Sequence, residues 1–366
     1  MAGIKSIVKA KEAKNDEFYT RLEDIEAEIS SHPDYVKAFQ GKTVLCNCDD
    51  PEWSAFYEFF RLHFNQLGLK KLITTHYNKD GSPSYKLEWS GEKLGDDTVN
   101  MIKTPLQGDG DFRSDECVQL MLDADIIVTN PPFSLFREYV TLLIENNKKF
   151  IVLGNTNAVN YKEFFTLLKN NEVWIGYKSP SGGMWFYVTE EFQTKVLHGE
   201  VSATYKILDD GKMICNCPAM WYTNIEIDKI HDKLILTKNY YGNEDKYPHY
   251  DNYDAIDVGS LKDLPKDYDG VMGVPITFMS VYCPEQFEII ASSQTGCHPD
   301  SMVLKKYKDY KGYKADGTSN GRTGSTCGNN PMIAKNDGKH AYYMNDQGHT
   351  VQSTFGKLFI RRKKVS

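Results

Sequence analysis

The chain has 366 residues, of which 40% are hydrophobic, and a formal net charge of −7. This composition is typical of a globular protein with a substantial core, and it excludes a disordered or fibrous chain. No 18-residue apolar stretch and no signal-type N-terminal segment is present. We therefore expect neither a membrane span nor secretion, and we predict a cytoplasmic protein.

The eight cysteines, without a secretory signal, are expected to be reduced thiols. Two pairs, Cys46/Cys48 and Cys215/Cys217, read Cys-Asn-Cys. A single intervening residue is shorter than the usual zinc spacing of about two to four. We therefore predict that no metal is bound.

The negative charge is unevenly distributed. Residues 296–366 hold 13 Lys+Arg and 5 Asp, a net charge of +8, so the remainder of the chain carries −15. An acidic body with a basic C-terminal fifth is expected when one part binds a small ligand and another meets a phosphate backbone. A solvated basic tail is the alternative.

The first informative segment reads Asp-Glu-Phe-Tyr-Thr and ends at Thr20. Thr20 and Glu23 have the spacing of a capping box, which predicts a helix start. Such an end presents unpaired N–H groups that attract a carboxylate. An ordinary helix cap explains the same residues.

A buried strand is predicted over residues 43–48, and a strongly periodic helix follows from Trp53 to Leu67. The loop between them carries Asp49, Asp50 and Pro51 where a phosphate-binding loop would carry glycines. Two carboxylates favour a cationic ligand, such as an ammonium or sulfonium group. Complementation of the helix dipole accounts for one of them more easily than for both.

A second strand is predicted over residues 70–77, and Gly110-Asp111-Phe112 lies in a loop before the next helix. An acid and an aromatic side chain together can bind an adenine ring: Asp111 would accept from its amino group, and Phe112 would stack on its face. A plain loop with one buried Phe remains the alternative.

The sequence from Asp125 to Ser134 predicts a β-branched strand, an Asn-Pro-Pro-Phe turn and a helix, with Ser134 as its N-cap. Such a turn lies at the carboxyl end of a parallel strand, where open α/β sheets bind ligands.

The turn suits attack by an exocyclic amine on an activated methyl group. The Asn130 side-chain oxygen and the Pro131 carbonyl are acceptors for the amine hydrogens, and the prolines make the turn rigid. Phe133 offers a face for a flipped-out base, because a target atom inside a duplex is out of reach. The alternative is a rigid turn with a packed Phe.

Strands and helices alternate from residue 43 to a strand predicted at 173–175. This βαβαβ pattern predicts an α/β, doubly wound, Rossmann-like sheet. Beyond residue 180 the chain reads as short strands, turns and aromatic residues, and no internal repeat is found.

The order of these motifs resembles the adenine-N6 DNA methyltransferases of the EcoRI-type family. The resemblance implies S-adenosylmethionine as cofactor and a flipped-out adenine in double-stranded DNA as substrate. Asn130, Pro131, Pro132 and Phe133 would then be catalytic. The residues implied to bind the cofactor are Phe18, Tyr19, Thr20, Asp49, Asp50, Pro51, Asp111 and Phe112.

Residues 1–225 are predicted as the methyltransferase domain, and residues 226–366 as the DNA target-recognition region. The chain departs from the family pattern in two places: the glycine-rich turn after the first strand is missing, and Thr75 and His76 stand where an acid would bind the ribose. A second aromatic residue is expected to sandwich the flipped-out base opposite Phe133. The sequence does not decide which of four residues this is: Trp185, Phe186, Trp221 or Tyr222.

Several functions remain open on sequence alone. The same turn serves methylation of cytosine N4, RNA adenine or protein glutamine, and a catalytically inactive DNA-binding decoy is the alternative from another class. The sequence also leaves open whether a cognate restriction endonuclease acts on the same site.

Overall fold

The computed structural model describes residues 18–48, 51, 54–78, 81–94, 98–178, 182–294, 302–327 and 329–364. They form two compact units. The first contains the described residues up to Ala158 together with Val173–Ile227, and the second contains Val159–Glu172 and the residues from Asp228 onward. The second unit thus includes Val159–Glu172, a helical segment that lies within residues 1–225, the range predicted for the first domain.

Seven α-helices are found in the described residues: α1 (Leu22–Ile29), α2 (Pro33–Phe39), α3 (Ala55–Leu67), α4 (Asp115–Asp123), α5 (Phe136–Glu145), α6 (Lys162–Lys169) and α7 (Glu190–Leu197). Of these, α6 belongs to the second unit. None of the described helices is both long and apolar enough to cross a membrane.

Two helix starts differ from the predictions. Helix α1 has Arg21 at its N-cap and no side-chain cap bond, so the predicted capping box of Thr20 and Glu23 does not form. Arg21 instead binds the Asp24 carboxylate. Helix α5 has Leu135 rather than Ser134 at its N-cap, because Leu135 N–H bonds the Pro132 carbonyl and the turn extends by one residue.

The strands described in the first unit are β1 (Phe18–Tyr19), β2 (Thr43–Cys46), β3 (Lys71–Thr75), β4 (Tyr85–Trp89), β5 (Lys93–Leu94), β6 (Thr98–Val99), β7 (Ile102–Pro105), β8 (Ile126–Thr129), β9 (Lys149–Asn155), β10 (Trp174–Ile175), β11 (Met184–Val188), β12 (Tyr205–Ile207), β13 (Met213–Cys217) and β14 (Ala219–Thr223).

The large sheet has eight described strands in the order β10-β14-β9-β8-β2-β3-β4-β7. Its four central strands, β9, β8, β2 and β3, are parallel. Leu45 and Ile127, which face each other in β2 and β8, are fully buried, as expected for a parallel sheet covered on both faces. The carboxyl ends of these four strands therefore lie along one edge.

The pairings outside these four strands are antiparallel. Strand β14 pairs with β9, β10 pairs with β14, and β4 pairs with β3 in reversed direction. The predicted alternation of strands and helices continues to β10, but β14 lies between β9 and β10 and runs opposite to both, so the sheet is not purely parallel. The molecule is a mixed α/β protein with a large mixed sheet.

A smaller antiparallel sheet, β1-β11-β13-β12, holds the N-terminal segment. Phe18 pairs with Val188 and Tyr19 pairs with Tyr187. Strand β1 is only two residues long, so its position depends on β11 and on contacts with the Asn-Pro-Pro-Phe turn described below.

The second unit is built from short strands. Those described are β15 (Ile256–Asp257), β16 (Val271–Pro275), β17 (Phe287–Ser292), β18 (Lys311–Tyr313), β19 (Ser319–Thr323), β20 (Met332–Ile333), β21 (Tyr342–Met344), β22 (Thr350–Ser353) and β23 (Lys357–Arg362). They form two sheets, β15-β16-β23-β17 and β19-β18-β21-β22-β20. Aromatic residues such as Tyr253 and Phe359 fill one core, and Tyr307 and Tyr310 fill another.

Candidate active site

The Asn-Pro-Pro-Phe turn follows β8 at the carboxyl edge of the parallel strands. Asn130 is buried, and its Nδ2 donates to the Phe18 carbonyl oxygen over 2.6 Å. Asn130 Oδ1 is buried without a hydrogen-bond partner among the described residues. The turn and the N-terminal segment are thus joined by a direct hydrogen bond.

This bond fixes the orientation of the Asn130 amide. A backbone carbonyl oxygen can only accept, so the nitrogen must face Phe18 and the oxygen must point away. A buried acceptor left unpaired costs about 1–3 kcal/mol. Such an atom indicates a place where a ligand supplies the missing donor.

An aromatic cluster surrounds the turn. Phe133 is buried, with its ring centroid 6.0 Å from that of Phe18 in a stacked arrangement and 6.2 Å from that of Phe186 in an edge contact. Phe192 also packs edge-on against Phe18. Phe133 is therefore part of a packed cluster, and its role in stacking a base stays a prediction.

The turn after β2 replaces the missing glycine-rich turn. Cys48 has φ of +72°, a left-handed conformation in which glycine is the usual residue. Asn47 is held by two hydroxyl groups: Thr129 donates to its carbonyl, and Tyr139 donates to its side-chain oxygen. The end of β2 is thus tied to β8 and α5.

The residues that follow lead into α3. Asp49 and Asp50 lie outside the described residues, so their proposed contact with a cationic ligand stays a prediction. Pro51 is buried. Ser54 caps α3, because its side chain accepts from the backbone N–H groups of Phe56 and Tyr57.

The Gly110-Asp111-Phe112 loop lies against the end of β3. Gly110 has φ of +87°, and a Cβ at this position would overlap the His76 carbonyl oxygen. Only glycine allows this approach. Phe112 is buried and makes an edge contact with Tyr139, with centroids 5.0 Å apart. Tyr139 thus touches both Phe112 and Asn47.

Asp111 has a partner that the sequence analysis did not identify. Its Oδ1 accepts from Arg113 Nε at 2.9 Å and from the Arg113 backbone N–H at 2.8 Å, and its Oδ2 accepts from an Arg113 terminal nitrogen at 2.5 Å. These bonds hold the pKa of the Asp111 carboxyl below its usual range. The carboxylate is therefore an acceptor throughout the neutral range.

No acid among the described residues ends β3, in agreement with the departure noted from the family pattern. Thr75 is buried there, and its Oγ1 has no hydrogen-bond partner in the part of the chain that the structure describes. The Thr20 Oγ1 is a similar atom at the end of β1. Both hydroxyls mark places where a polar ligand atom would restore a hydrogen bond.

The four aromatic candidates for the second wall of the pocket differ in exposure. Trp221 and Tyr222 are fully buried in the large sheet, and Phe186 is fully buried beside Phe133. Trp185 is partly exposed, with Lys206 Nζ 4.3 Å from the centre of its ring. Phe186 makes its edge contact with Phe133 of the Asn-Pro-Pro-Phe turn.

The Cys-Asn-Cys pairs do not build a metal site in the described part of the chain, where no group of three or more His, Cys, Asp or Glu side chains could hold an ion. Cys46, Cys215 and Cys217 are buried. Burial raises the pKa of the Cys215 thiol to about 11, so this group stays protonated at neutral pH.

The basic C-terminal region contains a run of five lysines with tyrosines between them over residues 305–314, and these lysines differ in their surroundings. Lys305 pairs with Asp251 at 3.3 Å, and Lys311 pairs with Asp346 at 3.4 Å. The interleaved Tyr307 and Tyr310 are buried. Three lysines of the run are exposed and form no ion pair with the described residues: Lys306, Lys308 and Lys314.

Comparison with known proteins gives a consistent result. A family model described as adenine-specific methyltransferase EcoRI matches residues 6–363. The Type II methyltransferase M.EcoRI of Escherichia coli is 45% identical over 302 residues, which cover 78% of this chain and 88% of that protein. The Type II methyltransferase M.MpnI of Mycoplasma pneumoniae is 42% identical over 283 residues, which cover 77% of this chain and 84% of that protein.

A third relative, the Type II methyltransferase M.MgeORF184P of Mycoplasma genitalium, is 42% identical over 285 residues, with coverage of 77% and 84%. No solved structure matches the chain. The resemblance inferred from the order of the motifs is confirmed. The chain belongs to the EcoRI family of adenine-specific methyltransferases.

Proposed function

We propose that this chain transfers a methyl group from S-adenosylmethionine to N6 of a flipped-out adenine in double-stranded DNA, and that Asn130 is the residue at the centre of the reaction. One observation carries the assignment of Asn130: its Oδ1 is buried without a described partner while its Nδ2 is held by the Phe18 carbonyl. The amide presents an acceptor, and only an acceptor, to the substrate.

The chemistry explains why an acceptor is needed. The lone pair of an adenine amino group is delocalised into the ring, so the amine is a poor nucleophile. Asn130 Oδ1 and the Pro131 carbonyl would accept its two hydrogens, favouring a tetrahedral amine whose lone pair is free to attack. Pro131 and Pro132 restrict the turn and so hold both acceptors in place.

The proposed cofactor residues fit a polar ligand with an adenine ring. When bound, S-adenosylmethionine supplies an activated methyl group on a sulfonium. Asp50 and Asp49 would meet its cationic groups before Pro51, and the segment Phe18–Thr20 would lie near its methionine end. Asp111 and Phe112 would hold its adenine.

The number of acceptor sites on Asp111 supports this assignment. A carboxylate has about four lone-pair positions. Arg113 uses two on Oδ1 and one on Oδ2, which leaves one on Oδ2 for the hydrogen of an adenine amino group. The unpartnered Thr75 hydroxyl is our candidate for the ribose contact in place of the missing acid.

The four parallel strands with ligand residues at their carboxyl edge support a Rossmann-like methyltransferase sheet in the first unit. We assign DNA target recognition to the second unit, which contains nearly all of the basic C-terminal region. As a member of a family whose relatives are named Type II methyltransferases, the protein would protect a site that a cognate restriction endonuclease also recognises.

The test removes the acceptor. Asn130→Ala should lower methyl transfer by about 100- to 1000-fold, the range seen when one catalytic hydrogen-bonding group is deleted. S-adenosylmethionine and DNA binding should persist. Asn146→Ala is a matched control, because Asn146 Nδ2 also donates to a backbone carbonyl, that of Leu142, but at the far end of α5.

The readout is mass spectrometry of nucleosides from methylated DNA, which separates N6-methyladenine from N4-methylcytosine. Cofactor binding is followed by calorimetry, and folding by circular dichroism. An Asn130→Ala enzyme that turns over at the wild-type rate would refute the assignment of the acceptor.

A further inference from the structure

One phenylalanine departs from the pattern of all the others. The chain has 18 phenylalanines, and the structure describes every one of them. Seventeen are buried, whereas Phe355 is 91% exposed. Phe355 lies in the tip loop, residues 354–356, which joins β22 to β23 in the second unit.

Exposure alone carries little weight, because single apolar residues are common on protein surfaces. The anchoring of the tip loop is the second observation. Thr354 donates from both its backbone N–H and its Oγ1 to the Pro331 carbonyl, at 2.9 and 3.1 Å. Lys357 N–H donates to Ser293 Oγ at 2.9 Å, and Ser293 N–H donates to the Lys357 carbonyl at 2.9 Å.

Gly356 adds a further constraint. A Cβ at this position would overlap the side-chain amide of Gln294, so the loop passes closely over that residue. Both sequence neighbours of Phe355 are therefore held by the body of the unit. The phenyl ring is presented to solvent from a fixed loop, with little ordering entropy left to lose on binding.

The chemistry around the ring points to one class of partner. Three exposed amides belong to the segments that hold the tip loop: Gln294 lies against Gly356, and Asn329 and Asn330 precede Pro331, whose carbonyl anchors Thr354. Amide side chains bind base edges and backbone phosphates. The tip loop itself contains no carboxylate, and residues 296–366 carry a net charge of +8.

We propose that Phe355 is a wedge that inserts between adjacent base pairs of the bound DNA duplex. Exposed apolar side chains on DNA-bending proteins enter base steps in this way. The proposal rests on the DNA substrate proposed above, and it assigns one side chain of the second unit to direct contact with the base stack. The amides beside it would contact the base edges or phosphates next to the opened step.

The experiment uses the full chain and a duplex that contains its own methylation site, identified from the modified bases in DNA of expressing cells. 2-Aminopurine is placed singly at each position around the target adenine, and its fluorescence reports unstacking. Affinity is measured by fluorescence anisotropy. The variants are Phe355→Ala, Phe355→Trp and, as a matched control, Ile235→Ala, which removes a 92% exposed apolar side chain of the same unit.

Wild type should show an unstacked step in addition to the flipped target adenine. Phe355→Ala should lose that signal and bind about 5- to 150-fold more weakly, the loss expected for one aromatic–base stack. Phe355→Trp should retain the signal, with its own emission quenched by stacking, and Ile235→Ala should match wild type.

Wild-type affinity and fluorescence in Phe355→Ala would overturn the proposal. So would sedimentation data in which Phe355→Ala converts a dimer to a monomer while the DNA signals stay unchanged, because Phe355 would then contact a second copy of the chain. Failure of the proposed function is a separate result: the wild-type protein would then leave no N6-methyladenine in DNA.

Discussion

Removing the Arg113 side chain tests the proposed adenine contact most directly. In Arg113→Ala, Asp111 loses the two side-chain hydrogen bonds that orient its carboxylate and keeps only the bond from the backbone N–H of residue 113. A hydrogen bond to a charged group contributes about 1.5–3 kcal/mol. Loss of a comparable free energy from cofactor binding should raise the Kd for S-adenosylmethionine about 10- to 100-fold.

Stability should change much less than cofactor affinity. The Arg113 side chain is 48% exposed, and ion pairs of this kind contribute only about 0–1 kcal/mol after screening by solvent. Urea unfolding should therefore place Arg113→Ala within about 1 kcal/mol of wild type. The contrast between a small loss of stability and a large loss of affinity separates a positioning residue from a structural one.

The same variant predicts a shift in pH dependence. Hydrogen bonding from Arg113 lowers the pKa of Asp111 in the folded protein, so the stabilisation by this pair is present above the unfolded pKa and is lost as pH falls through the folded pKa. Without Arg113 the carboxyl protonates at higher pH. The loss of cofactor affinity at low pH (the acid limb) should therefore begin at a higher pH in Arg113→Ala than in wild type.

Calorimetric titrations with S-adenosylmethionine between pH 4 and 8 measure both effects, with circular dichroism at each pH to verify folding. Arg322→Ala is the charge-matched control, because Arg322 is exposed in the second unit. An Arg113→Ala protein with the affinity and acid limb of wild type would show that Asp111 needs no such partner, and would remove the main support for its contact with adenine.

Gly110→Ala should lower the free energy of unfolding by about 1–3 kcal/mol, because alanine is strained in a left-handed backbone. The added Cβ should also clash with the His76 carbonyl and weaken cofactor binding. Gly81→Ala is the control in urea unfolding and calorimetry, because Gly81 also has a positive φ but has open space around it. Replacing Lys306, Lys308 and Lys314 with alanine should flatten the log–log salt slope of DNA affinity by about 2–3 if all three touch phosphate. The paired Lys305 and Lys311 should contribute less, and a triple variant with the wild-type slope would place the phosphate contacts elsewhere.

The central sheet could be predicted because its signals are local. The β-branched run of β8 and the periodic apolar face of α3 specify a buried strand and an amphipathic helix without reference to the rest of the chain. The Asn-Pro-Pro-Phe turn was placed correctly between strand and helix for the same reason. The insertion of β14 between β9 and β10 could not be predicted, because its antiparallel pairing with both strands is decided by long-range contacts.

The partners of the site residues were harder to predict than their positions. The bond between Asn130 and Phe18 joins residues 112 positions apart, and no local pattern indicates it. The pairing of Arg113 with Asp111 could have been predicted, because the side chain of an arginine two residues after an aspartate can bind its carboxylate. The alternation of Tyr and Lys over residues 305–314 fits an exposed aromatic surface and also buried rings with exposed charges between them; Tyr307 and Tyr310 are buried.

The bond between Asn130 and Phe18 has a consequence for how the site works. The acceptor proposed for catalysis is oriented by the backbone of the segment proposed to hold the cofactor, through a 2.6 Å contact. Because β1 is only two residues long and is held by β11, a displacement of Phe18 would rotate the Asn130 amide or leave its nitrogen unpaired. This hydrogen bond links the position of the Phe18–Thr20 segment to the orientation of Asn130 Oδ1. Changes in that segment should lower the rate of transfer as well as cofactor affinity, because the position of the acceptor depends on it.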